Sequence, residues 1–200
     1  MLMQITLGIL LGVAVSLSAW RLGSLSRNGT WAAAVTGGLI FGLGGLPWAG
    51  LLLTFFISSS LLSKAFKKRK GALTEKFAKG SQRDWGQVLA NGGLGTLLVV
   101  AFVIFRDQPW IWFAYAGAMA AVNADTWATE LGVLNPSRPR MITSGQPVEP
   151  GTSGAVSLVG TLATLGGALL IGLVGATLSP AGERLPLVLA ASLGGVCGSL

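Results

Sequence analysis

The sequence predicts an all-α protein, a polytopic membrane helix bundle of about six to seven transmembrane helices, in one integral-membrane domain over residues 1–200. Three observations predict this class. Hydrophobic residues make up 52% of the chain and charged residues only 10%, whereas a soluble domain carries about 25% charged residues. The mean hydropathy is +0.68. The 30 glycines are typical of helices that pack closely in lipid.

Apolar runs of about 20 residues, the length that crosses a bilayer, occur along the whole chain. The run 31–63 is too long for one helix, and we expect Gly44, Gly45 and Pro47 to divide it in two. The first run lacks the basic start of a cleaved signal peptide, so it is interpreted as a membrane helix. The predicted spans are 2–20, two within 31–63, 87–105, 109–131, 154–178 and 185–200.

The basic residues predict the orientation. Eight of the fourteen lie between Lys64 and Arg83, which indicates a basic cytoplasmic loop over 64–85. With seven spans, twelve basic residues fall inside, and Arg106 and Arg184 fall outside. The chain is therefore expected to be a multi-pass protein of the cell (inner) membrane, with its N-terminus outside and its polar motifs facing the cytoplasm.

The composition excludes several kinds of chemistry. The chain has no histidine, which excludes a Ser-His-Asp triad, the usual zinc sites and haem ligation by His within these residues. The single cysteine, Cys197, cannot form an intrachain disulfide. The basic loop has few interleaved aromatic residues, so nucleic-acid binding is not expected. Its lysines are expected to fix the orientation of the chain in the membrane and to attract anionic lipid. The alternative is that Lys64 and Lys79, which lie near the membrane ends, bind a polyphosphate.

The segment 123–130 carries the main polar cluster. On a helix with Asn123 at 0°, Asp125 lies at about 200° and Glu130 at about 340°, with Thr126 and Thr129 between them. The polar groups therefore share an arc of roughly 160°. Carboxylates, an amide and hydroxyls are hard oxygen ligands of the kind that Mg²⁺ accepts, which favours a metal–nucleotide site at Asp125 and Glu130. The alternatives are a buried ion pair, with Arg83 or a lysine, and a proton or cation relay in a transporter.

A second polar group lies at 83–91. If this stretch is helical from Arg83, then Asp84, Gln87 and Asn91 share a face about 100° wide with it. Amides embedded in a membrane need partners. The face is therefore expected either to form helix–helix hydrogen bonds or to contact a phosphate or metal-bound ligand.

A third stretch, 148–157, is a turn that runs into an apolar helix. Thr152 or Ser153 is predicted as the N-cap, with the helix starting near Gly154. Exposed amides at a helix N-terminus, with Gly151 beside them, can bind an anion. The alternative is simple capping of a membrane helix.

These motifs resemble an integral-membrane family of unknown function that includes the plastid phytyl-phosphate kinase. That family is distantly similar to polyprenol kinases and to CDP-diacylglycerol synthase-type cytidylyltransferases. The resemblance runs in order through nearly the whole chain. It is carried by the Ser-Ser-Ser-Leu-Leu-Ser-Lys, Lys-Gly-Ser-Gln-Arg-Asp, Gln-Val-Leu-Ala-Asn-Gly-Gly, Asn-Ala-Asp-Thr-Trp-Ala-Thr-Glu-Leu-Gly and Gly-Thr-Ser-Gly-Ala-Val-Ser stretches, at 58–64, 79–84, 87–93, 123–132 and 151–157.

The resemblance implies a membrane enzyme that transfers a phosphoryl group from CTP or ATP to phytyl or another isoprenyl monophosphate. It implies Mg²⁺ as cofactor, held by Asp125 and Glu130. It also implies that Asn123, Arg83 and Asn91 hold nucleotide or lipid phosphate, and that the turn Gly151, Thr152 and Ser153 cradles phosphate.

The family pattern continues past the residue at which this chain ends. An Asp-Ser-Leu-Leu-Gly-Ala type motif and a further membrane segment are expected after Leu200, and that acid is a candidate second metal ligand. The 200-residue chain is thus expected to be short at its C-terminus relative to the family. The rival functions are a cytidylyltransferase that forms a CDP-lipid, which would release pyrophosphate, and a transporter with a polar Asp125/Glu130 face.

Overall fold

The computed structural model describes residues 2–66, 82–105, 108–179 and 182–199. The described residues form seven helices and two very short strands, which confirms the predicted all-α membrane bundle. The helices are α1 (Leu2–Arg21), α2 (Arg27–Gly44), α3 (Leu46–Ala65), α4 (Trp85–Ile104), α5 (Pro109–Gly132), α6 (Leu158–Leu178) and α7 (Arg184–Ser199). Strands β1 (Arg140–Met141) and β2 (Ala155–Val156) pair antiparallel.

Each predicted span coincides with one described helix. The predicted break in 31–63 is confirmed: α2 ends at Gly44, Gly45 has φ +80°, and α3 begins at Leu46 with Pro47 in its first turn. Four described helices, α1, α3, α4 and α6, are long and apolar enough to cross a membrane by length and composition. Helix α7 is apolar but has only 16 residues.

Helix α5 lies at the centre of the bundle. It packs against α3, α4, α6 and α7, whereas α1 packs mainly on α2, and α2 in turn on α4. The core near the start of α5 is aromatic: Trp48 lies 4.4 Å from Tyr115 and 5.4 Å from Trp112 between ring centroids. The Tyr115 hydroxyl donates to the Trp48 carbonyl at 2.8 Å. The polar segment 123–130 therefore lies on the helix that most of the bundle surrounds.

Glycines bring α1 and α2 into close contact. A Cβ atom at Gly8 would lie 2.5 Å from the Gly42 Cα atom, and one at Gly12 would lie 2.7 Å from the Gly38 amide nitrogen. Such small-residue interfaces let helix backbones approach in lipid, where the hydrophobic effect does not drive association.

Contacts between loops and helix ends show which segments share one end of the bundle. The Arg83 amide donates to the Ser24 carbonyl at 3.0 Å, and the Ser26 amide donates to the Arg83 carbonyl at 3.1 Å. Ser63, near the end of α3, contacts Glu130, near the end of α5. The loops 22–26 and 82–84 and the end of α5 therefore lie together, as the distribution of basic residues predicts.

The helix predicted from Arg83 begins later than expected. Helix α4 starts at Trp85, and Asp84 is its N-cap. Arg83 instead pairs with the α1–α2 loop through the two backbone hydrogen bonds above. Its side-chain direction therefore does not follow the helical periodicity of α4.

Candidate functional site

A cavity of about 480 Å³ lies where α5 ends and α6 begins. Its walls come from the last turns of α5, the first turns of α6 and the connector 133–157. Its volume is in the range of roughly 300–1,000 Å³ typical of small-molecule sites. We call it the α5–α6 cavity.

Asp125 lies in the wall of this cavity, with Thr129 one turn further along α5. Both side chains are exposed. The Thr129 hydroxyl donates to the Asp125 backbone carbonyl at 2.8 Å, and the exposed Asp125 residue lines the cavity. Among the described residues, it is the one acidic group in the cavity wall.

The predicted phosphate turn lines the same cavity. Gly151, Thr152 and Ser153 are lining residues, together with Gly154. Gly151 and Gly154 have φ values of +84° and +77°, which glycine adopts without the steric cost of a side chain. The fold thus brings Asp125 and the 151–153 turn, far apart in the chain, to one cavity.

The predicted N-cap of α6 was wrong. Ser157, rather than Thr152 or Ser153, caps the helix, and its hydroxyl accepts from the Gly160 amide at 3.1 Å. The helix starts at Leu158 because Ala155 and Val156 pair with β1 and hold the preceding chain extended. The Thr152 hydroxyl instead donates to the Glu149 carbonyl at 2.8 Å.

The N-terminus of α6 is partly satisfied by protein groups. Besides the Ser157 cap, the Val159 amide donates to the Asn135 side-chain oxygen at 3.4 Å. Any anion-binding role at this end therefore depends on the 151–153 turn and the cavity hydroxyls more than on the helix amides.

Glu130 lies outside the α5–α6 cavity. It is buried, and its carboxylate accepts a hydrogen bond from the Ser63 hydroxyl of α3 at 2.8 Å. On an α-helix, residues five apart point about 140° away from each other. The structure therefore does not bring Asp125 and Glu130 together as one two-carboxylate metal site.

Asn123 serves the packing of three helices. It is fully buried; its side-chain oxygen accepts from the Ser58 hydroxyl at 3.1 Å, and its nitrogen donates to the Gly167 carbonyl at 2.8 Å. Trp127 donates to the same Ser58 hydroxyl at 3.3 Å. The Asn123 amide therefore joins α3, α5 and α6 and does not line the α5–α6 cavity.

Arg83 and Asn91 line a second cavity, of about 190 Å³, between α1, α2, α3 and α4. Its other walls are almost entirely apolar, so we call it the apolar cavity. The guanidinium of Arg83 donates to Ser60 at 2.8 Å and to Ser59 at 2.9 Å. It also lies 5.5 Å from the centroid of the Phe56 ring, within reach of a cation–π interaction.

Arg83 and Glu130 interact electrostatically. Burial lowers the pKa of the Arg83 guanidinium from its ordinary value, and the nearby Glu130 charge opposes that shift. An arginine nevertheless keeps its charge at neutral pH. The end of α3 thus lies beside a positive group and a negative group in a partly buried setting.

Asp84 and Gln87 form a capping box at the start of α4. The Gln87 amide donates to the Asp84 carboxylate at 2.9 Å, and the Asp84 amide donates to the Gln87 side-chain oxygen at 3.3 Å. The predicted shared face of these two residues therefore serves the helix start. Lys64 is exposed in the last turn of α3, and Lys79 lies outside the described residues.

The sequence reasoning missed several residues of the α5–α6 cavity. They are polar, and the connector and α7 bring them to the wall: Asn135, Ser137, Ser157 and Ser199. Asn135 and Ser137 also hydrogen-bond each other, the Asn135 nitrogen to the Ser137 hydroxyl at 3.1 Å. The signal available in the sequence was the presence of two polar residues, Asn135 and Ser137, shortly after an apolar helix.

The oxygen ligands of the α5–α6 cavity suit Mg²⁺ in one kind of coordination, in which substrate phosphates and water complete the ligand set. Within the described residues there is no group of three or more His, Cys, Asp or Glu side chains that could hold a metal. Mg²⁺, however, is often held by one or two carboxylates, substrate phosphates and water. Asp125 with the surrounding hydroxyls fits that arrangement, and a site made of protein ligands alone does not.

The sequence matches the model of the integral membrane protein family DUF92 over residues 10–200. The chain belongs to this family. No solved structure matches it significantly.

Three relatives extend the family match. Protein PGR of Arabidopsis thaliana is 31% identical, over 98% of this chain and 76% of the relative. An uncharacterized membrane protein of Methanocaldococcus jannaschii is 34% identical, over 100% of this chain and 80% of the relative. An uncharacterized membrane protein of Synechocystis is 31% identical, over 78% of this chain and 56% of the relative. The family match and the apolar helices establish an integral, multi-pass membrane protein.

Proposed function

We propose that this protein is a prenyl-phosphate kinase that transfers a phosphoryl group from CTP or ATP to phytyl or another isoprenyl monophosphate. The observation that carries the proposal is that Asp125 and the 151–153 turn line one hydroxyl-rich cavity. A carboxylate opposite a glycine turn is suited to a metal–polyphosphate, since one holds the cation and the other lets backbone amides approach phosphate oxygens.

Asp125 is the proposed metal ligand. Bound Mg²⁺ would neutralise charge on the donor phosphates. The Ser153 hydroxyl, in the cavity wall, can donate to a phosphate oxygen that the metal leaves free, whereas the Thr129 and Thr152 hydroxyls already donate to backbone carbonyls. Phosphoryl transfer needs positioning and charge neutralisation more than covalent chemistry from the protein.

The acceptor needs no strong general base. A monophosphate is already ionised near neutral pH, so its oxygen can attack without losing a proton to the protein. The chain, which has no histidine, is compatible with that requirement. Arg83, which lines the apolar cavity and not the α5–α6 cavity, would hold the acceptor phosphate.

The proposal is tested by product analysis with the purified protein in nanodiscs. Mg²⁺, CTP or ATP, and phytyl or geranylgeranyl monophosphate are added, and lipids are identified by mass spectrometry. We expect a lipid diphosphate and a nucleoside diphosphate. Asp125→Asn should lower the rate by about 100-fold or more, because a transition-state charge contact is lost.

Glu183→Gln is the matched control, since it makes the same carboxylate-to-amide change at an exposed residue outside the cavity. It should leave the rate unchanged. A CDP-lipid with pyrophosphate would replace the kinase by a cytidylyltransferase. Absence of any lipid product, also with the chain extended beyond Leu200, would refute both enzymes and favour a transporter.

A further inference from the structure

We propose that the apolar cavity between α1, α2, α3 and α4 binds the chain of a single isoprenyl monophosphate, with its phosphate at Arg83 and Asn91. The identity of this ligand rests on the proposed function. The position of the site is inferred from the cavity alone. It does not depend on the phosphate chemistry proposed at Asp125.

The cavity has the shape of a site for one lipid chain. Its lining along α3 runs from Leu46 to Phe56, a rise of roughly 15 Å along the helix. At about 190 Å³ it is narrow for that length, so it suits one chain better than the two chains of a phospholipid.

Charged and polar groups lie at one end only. Arg83, Val88 and Asn91 line the end near the start of α4, and Leu11, Phe41 and Leu46 line the opposite end. The Ser16 and Thr36 hydroxyls, which also line the cavity, donate to carbonyls of their own helices at 3.0 Å and 2.9 Å. A ligand of matching polarity has one anionic head and one apolar tail.

The head group would find unused donors. Two of the five guanidinium N–H groups of Arg83 are used by Ser59 and Ser60. Asn91 has no side-chain hydrogen bond among the described residues. A guanidinium that keeps free N–H groups at the mouth of an apolar cavity is suited to a phosphate.

The walls leave room for a branched chain. Gly37 lines the cavity, and an added Cβ atom there would meet no atom within 4 Å. Gly92 also lines it, and the nearest atom to such a Cβ would be 3.9 Å away. The open space at these two glycines can accommodate the methyl branches of an isoprenoid.

The test uses a geranylgeranyl monophosphate with a diazirine at its far end, added without nucleotide to the protein in phosphatidylcholine nanodiscs. After irradiation, labelled peptides are mapped by mass spectrometry. Labels are expected near Leu11, Phe41 and Leu46. Gly37→Phe should reduce labelling about tenfold, because the new ring occupies the cavity. Arg83→Gln should raise the half-saturating concentration roughly tenfold.

Gly93→Phe is the matched control, because its added atoms also meet nothing within 4 Å but Gly93 does not line the cavity. It should label like the parent protein. Labelling unaffected by Gly37→Phe, or competition by phosphatidic acid or hexadecyl phosphate as strong as by geranylgeranyl phosphate, would overturn the proposal. Labelling of the cavity without any kinase product would support this binding site and contradict the proposed function. Product formation with labels elsewhere would support the proposed function and contradict this site.

Discussion

At the scale of single residues, the two acids of α5 have different surroundings. Asp125 faces a polar cavity, whereas Glu130 is buried beside Ser63 and close to Arg83. Both were predicted to hold Mg²⁺. The cavity supports that role for Asp125, and the contacts of Glu130 favour a role in holding α3, α5 and Arg83 together.

This difference gives a metal-binding prediction. Asp125→Asn should abolish Mn²⁺ binding in the presence of a non-hydrolysable nucleotide, measured by electron paramagnetic resonance titration. Glu130→Gln should leave the Mn²⁺ dissociation constant within about twofold of the parent value, since that side chain is outside the cavity. Equal losses in the two variants would show that both carboxylates bind the same metal ion.

Asn123 gives a stability prediction. Asn123→Leu removes hydrogen bonds to Ser58 and Gly167 and leaves the buried Gly167 carbonyl without that donor, which costs about 1–3 kcal/mol. We expect a lower midpoint of thermal unfolding in detergent for Asn123→Leu and little change for Asp125→Asn. The reverse order of the two midpoints would contradict the packing role of Asn123.

At the scale of elements, the α1–α2 pair depends on glycine. A Gly8→Ala substitution would place a methyl group 2.5 Å from the Gly42 Cα atom, so the two backbones must separate. We expect a loss of about 1–3 kcal/mol in the free energy of unfolding, measured in mixed micelles. Gly37→Ala on the same helix pair meets open space and should be neutral or slightly stabilising, since alanine favours helix.

Local sequence carries some helix-start signals and lacks others. Asp84 and Gln87 have the capping-box spacing that starts α4 at Trp85, so the predicted start at Arg83, which was wrong, could have been corrected from this local pattern. The start of α6 could not be predicted locally. The stretch 154–157 resembles a helix start, but Ala155 and Val156 pair with β1 and keep the chain extended until the N-cap at Ser157.

At the scale of the whole molecule, orientation remains a prediction from the basic residues. In a Cys197→Ser background, single cysteines at the exposed positions Leu22 and Ser144 should react with a membrane-impermeant maleimide in inverted vesicles but not in right-side-out vesicles. A cysteine at Glu183 should show the opposite pattern. Labelling of Leu22 and Glu183 from the same side would contradict the seven-span topology.

The sequence by itself determined the class of the protein, the positions of its helices and the break between α2 and α3. Hydrophobicity and chain-breaking residues are local properties, so they can be read without knowing the neighbours. It also predicted that Asp125 and the 151–153 turn belong to one site, through the resemblance to a known family.

Only the tertiary structure decided how the polar face of α5 is divided. Helical periodicity fixes the angle of each side chain but not which helix packs against it. Here α3 covers the side of Asn123 and Glu130, and the connector with α6 forms a cavity over Asp125. For the same reason, the place of Arg83 at an apolar cavity depends on its backbone pairing with the α1–α2 loop, a contact between segments far apart in the chain.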